Sequence, residues 1–268
     1  MSSSQDPYAL AREAATAMTT RLGVPTIDVA LVLGSGWATA ASGLGEAVSE
    51  CPLEELPGFS RPVVAGHGGS VRALRAPSGR VAALFTGRTH YYEGLGAAAV
   101  AHGVRTAAAA GAGRLVLTNG CGGLNPDWAP GTPVLISDHI NLTGASPLVG
   151  ARFVDMTDAY SPALRGLAKA VDPDLDEGVY VQFPGPHYET PAEVRMAGAI
   201  GGSLVGMSTA LECIAAREAG MEVLGVSLVT NAAAGITGEA LDHADVIEAG
   251  AVAVPRLRAL LAGLLEVL

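Results

Sequence analysis

The segment at 29–33, VALVL, is apolar at every position and stops abruptly in Gly34-Ser35-Gly36-Trp37. A strand with one solvated face alternates apolar and polar residues, whereas a strand apolar throughout must be covered on both faces. Further β-rich runs are read at 70–76, 80–86, 114–120, 133–142, 179–183, 203–208 and 222–231. Helices are expected between them. Asp6-Pro7 supplies an N-cap and a proline at the first helical position, and Gly23 a stop. Others are expected over 97–110 and near 161–171, 191–200 and 210–219. A last helix is expected from about residue 242, with Pro255 kinking or interrupting it. This order predicts an α/β protein: one three-layer domain over 1–268, with a mixed, largely parallel β-sheet flanked by helices.

In such sheets ligands collect at the carboxyl ends of the strands. That rule selects GSGW, TGRTHYYEG, TNGCGGLN, GMS and VTN, each at the end of an expected strand. The GSGW turn lacks the third glycine of a dinucleotide fingerprint, because Trp37, Ala38 and Thr39 follow Gly36. No P-loop Lys-Ser/Thr follows either, which argues against a nucleoside triphosphate. A plain turn or a cradle for a single anion remains.

Arg88 carries a fork of donors suited to phosphate and His90 adds another, although Arg88 could equally pair with Glu93. The glycines from Gly120 onward bring backbone N–H groups close to a ligand or merely form a tight turn. Ser208 serves as a ligand or as a helix cap. Tyr188 and Glu189 offer an aromatic face and a carboxylate just before a helix, where an acid also complements the dipole. Asn231 ends a strand and can read a heteroaromatic edge or fill a turn. His67, in AGHGG, and His243 have ordinary loop and helix readings of their own.

Composition narrows the partners. Charged residues make up only 16% of the chain, against about 25% in an average soluble domain. A surface so poor in charge suits burial against further copies of the chain. The net charge of −10, without a Lys/Arg block, argues against nucleic acid. Cys51, Cys121 and Cys213 lie far apart and form no metal-binding spacing, so neither a disulfide framework nor a metal site is expected. The first residues lack a signal-type apolar core, and apolar stretches are broken by charge before membrane-spanning length. A cytoplasmic protein with no membrane contact is expected.

Taken in order, VLGSGW, AGHGG, TGRTHYYEG, TNGCGGLN, ISDHINLTGASPLVG, FPGPHYETPAEVRM, VGMSTALE, VSLVTN and DHADVIEAG span residues 28 to 250. This series resembles the trimeric purine nucleoside phosphorylases. The resemblance implies phosphorolysis of inosine, guanosine and their deoxy forms to a free purine and (deoxy)ribose 1-phosphate. It implies a phosphate site of Ser35, His67, Arg88, His90, the Gly120 N–H and Ser208. It places Tyr188 and Met207 against the nucleoside, His243 at the ribose 5′-hydroxyl, Glu189 at purine N1–H and Asn231 at O6 and N7. Phe153 would reach the sugar in a neighbouring subunit of a homotrimer. Inorganic phosphate is then a co-substrate, and no cofactor or metal is implied. A methylthioadenosine phosphorylase would be expected to have Asp at 231 and an apolar residue at 243. Two departures stand out. Many relatives have alanines where this chain has Gly120-Cys121, so thiol reagents are expected to reach the site, and Tyr188 replaces a Phe found in some relatives.

Overall fold

The computed structural model describes residues 6–60, 69–237 and 243–268, the side chains of the last segment from residue 249. The chain opens with α1 (Pro7–Leu22), in which the Tyr8 N–H donates to the Asp6 side chain and whose end is closed by Gly23 in the left-handed conformation. Strand β1 (Val29–Val32) follows, then β2 (Glu46–Pro52), β3 (Ser70–Arg75) and β4 (Val81–Phe85). Two short helices, α2 (Ala97–Val100) and α3 (His102–Ala109), lead into the long strands β5 (Arg114–Gly123) and β6 (Pro133–Asn141). The rest alternates: α4 (Pro162–Val171), β7 (Asp176–Gln182), α5 (Pro191–Ala199), β8 (Leu204–Gly206), α6 (Ala210–Glu218), β9 (Glu222–Ala232) and α7 (His243–Val267).

Among the described residues the strands form one sheet in the order β2-β3-β4-β1-β5-β8-β7-β6-β9, and β9 also pairs with β5. The last five strands therefore close on themselves, and the first four extend from the ring as an arm. The pairs β1–β4, β1–β5, β5–β9, β6–β7 and β7–β8 are parallel, while β2–β3, β3–β4, β5–β8 and β6–β9 are antiparallel. The sheet is mixed as expected, with more antiparallel pairing than "largely parallel" implies.

The all-apolar strands are covered on both sides. In β1, Ala30 and Val32 join a cluster with Met18, Leu22, Val104 and Cys213 from α1, α3 and α6. Val29 and Leu31 point the other way, to Leu164, Leu257, Leu260 and Leu261 of α4 and α7. Each fully buried Val or Leu contributes about 1.5–3 kcal/mol by leaving water, which locks the strand register on both faces.

Three local expectations need correction. Strand β2 was not expected, because it is an edge strand whose residues are mostly exposed and include Glu46, Glu50 and Pro52. Such polar edges discourage pairing with other chains and hide the apolar signal. The helix expected over 97–110 is divided at Ala101, where the His102 ring meets the Pro57 carbonyl at 2.8 Å and Gly103 follows. Finally, Pro255 lies inside α7 without ending it. Leu257, Leu260, Leu261, Leu264 and Leu265 anchor the second half of that helix in the core.

Candidate functional site

Segments at the ends of β1, β4, β5, β7, β8 and β9 open on one cavity of about 410 Å³. The turn after β1 is shaped by contact with β5. A Cβ on Gly34 would lie 2.5 Å from the Thr118 carbonyl oxygen, so only glycine fits there. The Gly34 N–H donates to Thr118 Oγ1 at 3.0 Å, and the fully buried Trp37 indole donates to the Asn119 carbonyl at 2.9 Å. Residues 35–43 form turns rather than a regular helix, so no helix N-terminus stands ready for a pyrophosphate. Ser35 lines the cavity from this turn.

Arg88 enters beyond β4 and is almost wholly buried against Glu212 on α6, Nε to Oε1 at 3.2 Å. Its Nη1 donates to the Thr118 carbonyl at 2.6 Å and to Ser208 Oγ at 3.2 Å. Its Nη2 is buried without a hydrogen-bond partner. The Arg88–Glu93 pairing that the sequence left open is therefore not formed; Glu93 instead accepts from the His90 backbone N–H at 2.6 Å and lies 3.3 Å from His90 Nδ1. The His90 ring stacks on Tyr92, centroids 4.7 Å apart. Burial pushes the Glu212 carboxyl upward in pKa while the Arg88 guanidinium holds it back.

Across the cavity from β8, Ser208 precedes α6. Thr209, at the helix N-cap, has φ of +83°, a conformation rare for a β-branched residue and found where surroundings enforce it. Its N–H donates to Glu212 Oε2 at 3.1 Å. The next two N–H groups, of Ala210 and Leu211, donate to Gln182 Oε1 at 2.8 and 3.3 Å.

The other lining is suited to a flat, partly polar molecule. Gly185 has φ of +68°, and a Cβ there would lie 2.6 Å from Met207 Sδ and 2.9 Å from the Tyr92 ring. Tyr188 is half exposed at the rim, while Glu189 is only 7% exposed. Glu189 Oε1 has no hydrogen-bond partner, and desolvation holds its carboxyl above the usual range. Asn231 Oδ1 accepts from Thr230 Oγ1 at 2.8 Å, and its Nδ2 donates to the Ala232 carbonyl at 2.9 Å.

Ser35, Arg88, His90, Gly120, Tyr188, Glu189, Met207, Ser208 and Asn231 thus line one cavity, although they come from distant parts of the sequence. His67 lies outside the described residues, as does the side chain of His243 at the start of α7. Phe153 is not part of this cavity and stands 97% exposed. The sensitivity to thiol reagents expected of Cys121 is not supported. Its thiol is buried, donates to the Leu228 carbonyl at 3.4 Å and is pushed up to about 12, so the reactive thiolate is scarce. Sequence reasoning overlooked Tyr92, Asn119 and Thr230 as lining residues, and Glu212 as the partner of Arg88. All four lie in motifs already singled out, Tyr92 in TGRTHYYEG, Asn119 in TNGCGGLN, Thr230 in VSLVTN and Glu212 in VGMSTALE, but nothing local marked their roles.

Among the described residues, no helix is long and apolar enough to cross a membrane, and no group of three His, Cys, Asp or Glu side chains is placed to hold a metal.

Residues 28–266 match the family model of the phosphorylase superfamily. The chain is 64% identical over 261 residues to a purine nucleoside phosphorylase of Cellulomonas sp, covering 96% of this chain and 93% of that one. It is 58% identical over 257 residues to the purine nucleoside phosphorylase of Mycobacterium tuberculosis, covering 96% of each. Its fold is similar to Schistosoma mansoni purine nucleoside phosphorylase solved with inosine, with TM-score 0.88, 31% identity and coverage of 97% and 96%. The same schistosome enzyme has also been solved with adenosine, with TM-score 0.87, 31% identity and coverage of 96% of each chain. On the strength of a matched model over most of its length and relatives this similar, the chain belongs to the phosphorylase superfamily, among its purine nucleoside phosphorylases.

Proposed function

We propose that the chain catalyses reversible phosphorolysis of 6-oxopurine nucleosides, with inorganic phosphate as co-substrate and no cofactor. One observation carries this reading: an unspent donor and an unspent acceptor belong to residues that line the same cavity. Arg88 Nη2 has no partner at one wall, and Glu189 Oε1 has none at another. A phosphate dianion requires donors, and a purine N1–H requires an acceptor.

In this reading Ser35, Arg88, His90, the Gly120 N–H and Ser208 hold phosphate, with His67 closing over it. Fixed donors replace the anion's water without reorganising during the reaction. Tyr188 and Met207 pack on the nucleoside, and His243 takes the 5′-hydroxyl. A phosphate oxygen forms a bond to C1′ as the C1′–N9 bond breaks and its electron pair leaves with the purine. The sugar passes through an oxocarbenium-like state, which the phosphate charge stabilises. The Thr230 hydroxyl donates to Asn231 Oδ1, so Asn231 Nδ2 can exchange its Ala232 contact for N7 of the departing base.

Adenine presents a bare N1 acceptor to Glu189. Leaving that pair unmade can discriminate by roughly 10⁴–10⁵-fold. A schistosome relative has been solved in complex with adenosine; the discrimination proposed here concerns turnover. Asn231 and His243 favour this reading over a methylthioadenosine phosphorylase.

We assign the active form as a homotrimer in which Phe153 covers a neighbour's sugar. An aromatic side chain 97% exposed on a surface poor in charge supports this. A solution mass of one chain, 26.9 kDa, would overturn it. We place the protein in the cytoplasm, where its three buried cysteines remain thiols.

The deciding assay measures base release from inosine, guanosine and adenosine with and without phosphate. Release from inosine and guanosine only with phosphate is expected. Release independent of phosphate indicates a hydrolase, and equal rates on adenosine and inosine remove the proposed role of Glu189.

A further inference from the structure

Ser208 Oγ lies within hydrogen-bond distance of Arg88 Nη1 at 3.2 Å and of Thr209 Oγ1 at 3.1 Å. Thr209 Oγ1 in turn accepts from Asn119 Nδ2 at 2.9 Å. Thr209 is fully buried and Asn119 nearly so. With the Asn119 amide donating through Nδ2, a hydroxyl's one proton and two lone pairs fix the direction of the other bonds. The Thr209 proton needs an acceptor, since a buried unsatisfied O–H is costly. Among the described residues, Ser208 Oγ is the acceptor within reach. Ser208 Oγ then accepts from both Thr209 and Arg88, which occupies its two lone pairs. Its own proton has one remaining direction, into the cavity it lines.

We infer that Asn119 and Thr209 are positioning residues that hold the Ser208 hydroxyl as a donor toward phosphate. The chain runs from the Asn119 amide to the Thr209 hydroxyl, to the Ser208 hydroxyl, to the anion. Aligned hydrogen bonds of this kind strengthen one another in a low-dielectric interior. The arrangement also excludes Ser208 as an acceptor, so a neutral ligand offering a donor at that place gains nothing. Residue 209 is thereby required to carry a hydroxyl in an unfavourable backbone conformation. The inference deepens the phosphate site proposed above and rests on that reading.

The test compares wild type with Thr209→Val, which keeps the side-chain shape and removes the hydroxyl. The KM for phosphate is expected to rise about 10-fold, the scale of one lost hydrogen bond to a charged group, while the KM for inosine stays within about twofold. Thr209→Ser, which restores the hydroxyl, recovers the phosphate KM. Thr209→Ala serves the same purpose if valine at φ of +83° prevents folding. In a Ser208→Ala background, Thr209→Val adds nothing further, because it acts through Ser208. An unchanged phosphate KM in Thr209→Val, an equal rise in both substrates' KM, or an undiminished effect without Ser208 overturns the inference. Wild-type base release that ignores phosphate overturns the underlying reading instead, so the two failures are distinguishable.

Discussion

Arg88→Met is expected to lower phosphate-dependent turnover by about 10²–10³-fold, the scale of removing a key preorganised donor. Two effects combine in that variant. The cavity loses the unpartnered Nη2 and the Nη1 contact to Ser208. The fold also loses the partner of Glu212, whose side chain is 2% exposed. Breaking a buried ion pair from one side costs about 3–5 kcal/mol, unless the stranded carboxyl takes up a proton. Burial already raises the Glu212 pKa, and removing Arg88 takes away what holds it down. An acid with a folded pKa above its unfolded value binds more protons when folded, so stability falls as pH rises between the two. The variant should therefore lose more stability at neutral pH than at mildly acid pH, as thermal melts across that range would record. Adding Glu212→Gln should flatten the pH dependence and restore much of the stability while leaving phosphate use impaired. Recovery of phosphate use in the double variant would mean that Arg88 acts only as a scaffold.

Glu189→Gln is expected to narrow the preference for inosine over adenosine by about 10²–10³-fold, read as the ratio of kcat/KM values. The amide still accepts from N1–H but loses the charge, and a charge-assisted bond is about twice as strong as a neutral one. Its N–H₂ also offers adenine N1 the donor that the carboxylate withholds. The wild-type enzyme should in addition show a pH signature. Desolvation raises the empty Glu189 carboxyl, and a bound N1–H stabilises its charged form. Binding then releases a proton, so the KM for inosine falls as pH rises through the raised pKa and levels off above it. In Glu189→Gln this slope should vanish. A wild-type slope that persists in the variant would assign the titration to another group.

The strand ends were legible because unbroken apolar runs stopped at residues with functional side chains, as VALVL does at GSGW. β2 was not legible, since an exposed edge strand with Glu46, Glu50 and Pro52 has little apolar content to detect. Nor could local sequence tell that Pro255 would remain within α7, where contacts beyond the helix outweigh the local penalty. The burial of Cys121, on which its thiol reactivity depends, was likewise not legible from its neighbours in sequence.

The pairing of Arg88 with Glu212 joins residues 124 positions apart, and the Asn119–Thr209 bond spans 90. The sequence by itself determined the α/β alternation, the apolar strands covered on both faces and the set of polar residues delivered to their ends. These follow from local periodicity and residue chemistry, which act over a few positions. Only the tertiary structure decided that β9 returns to β5 to close the ring, that Glu212 holds Arg88, and that Ser208 has one proton left for the cavity. Those outcomes depend on which buried donors and acceptors meet once distant segments pack, and on the cost of leaving any of them unpaired.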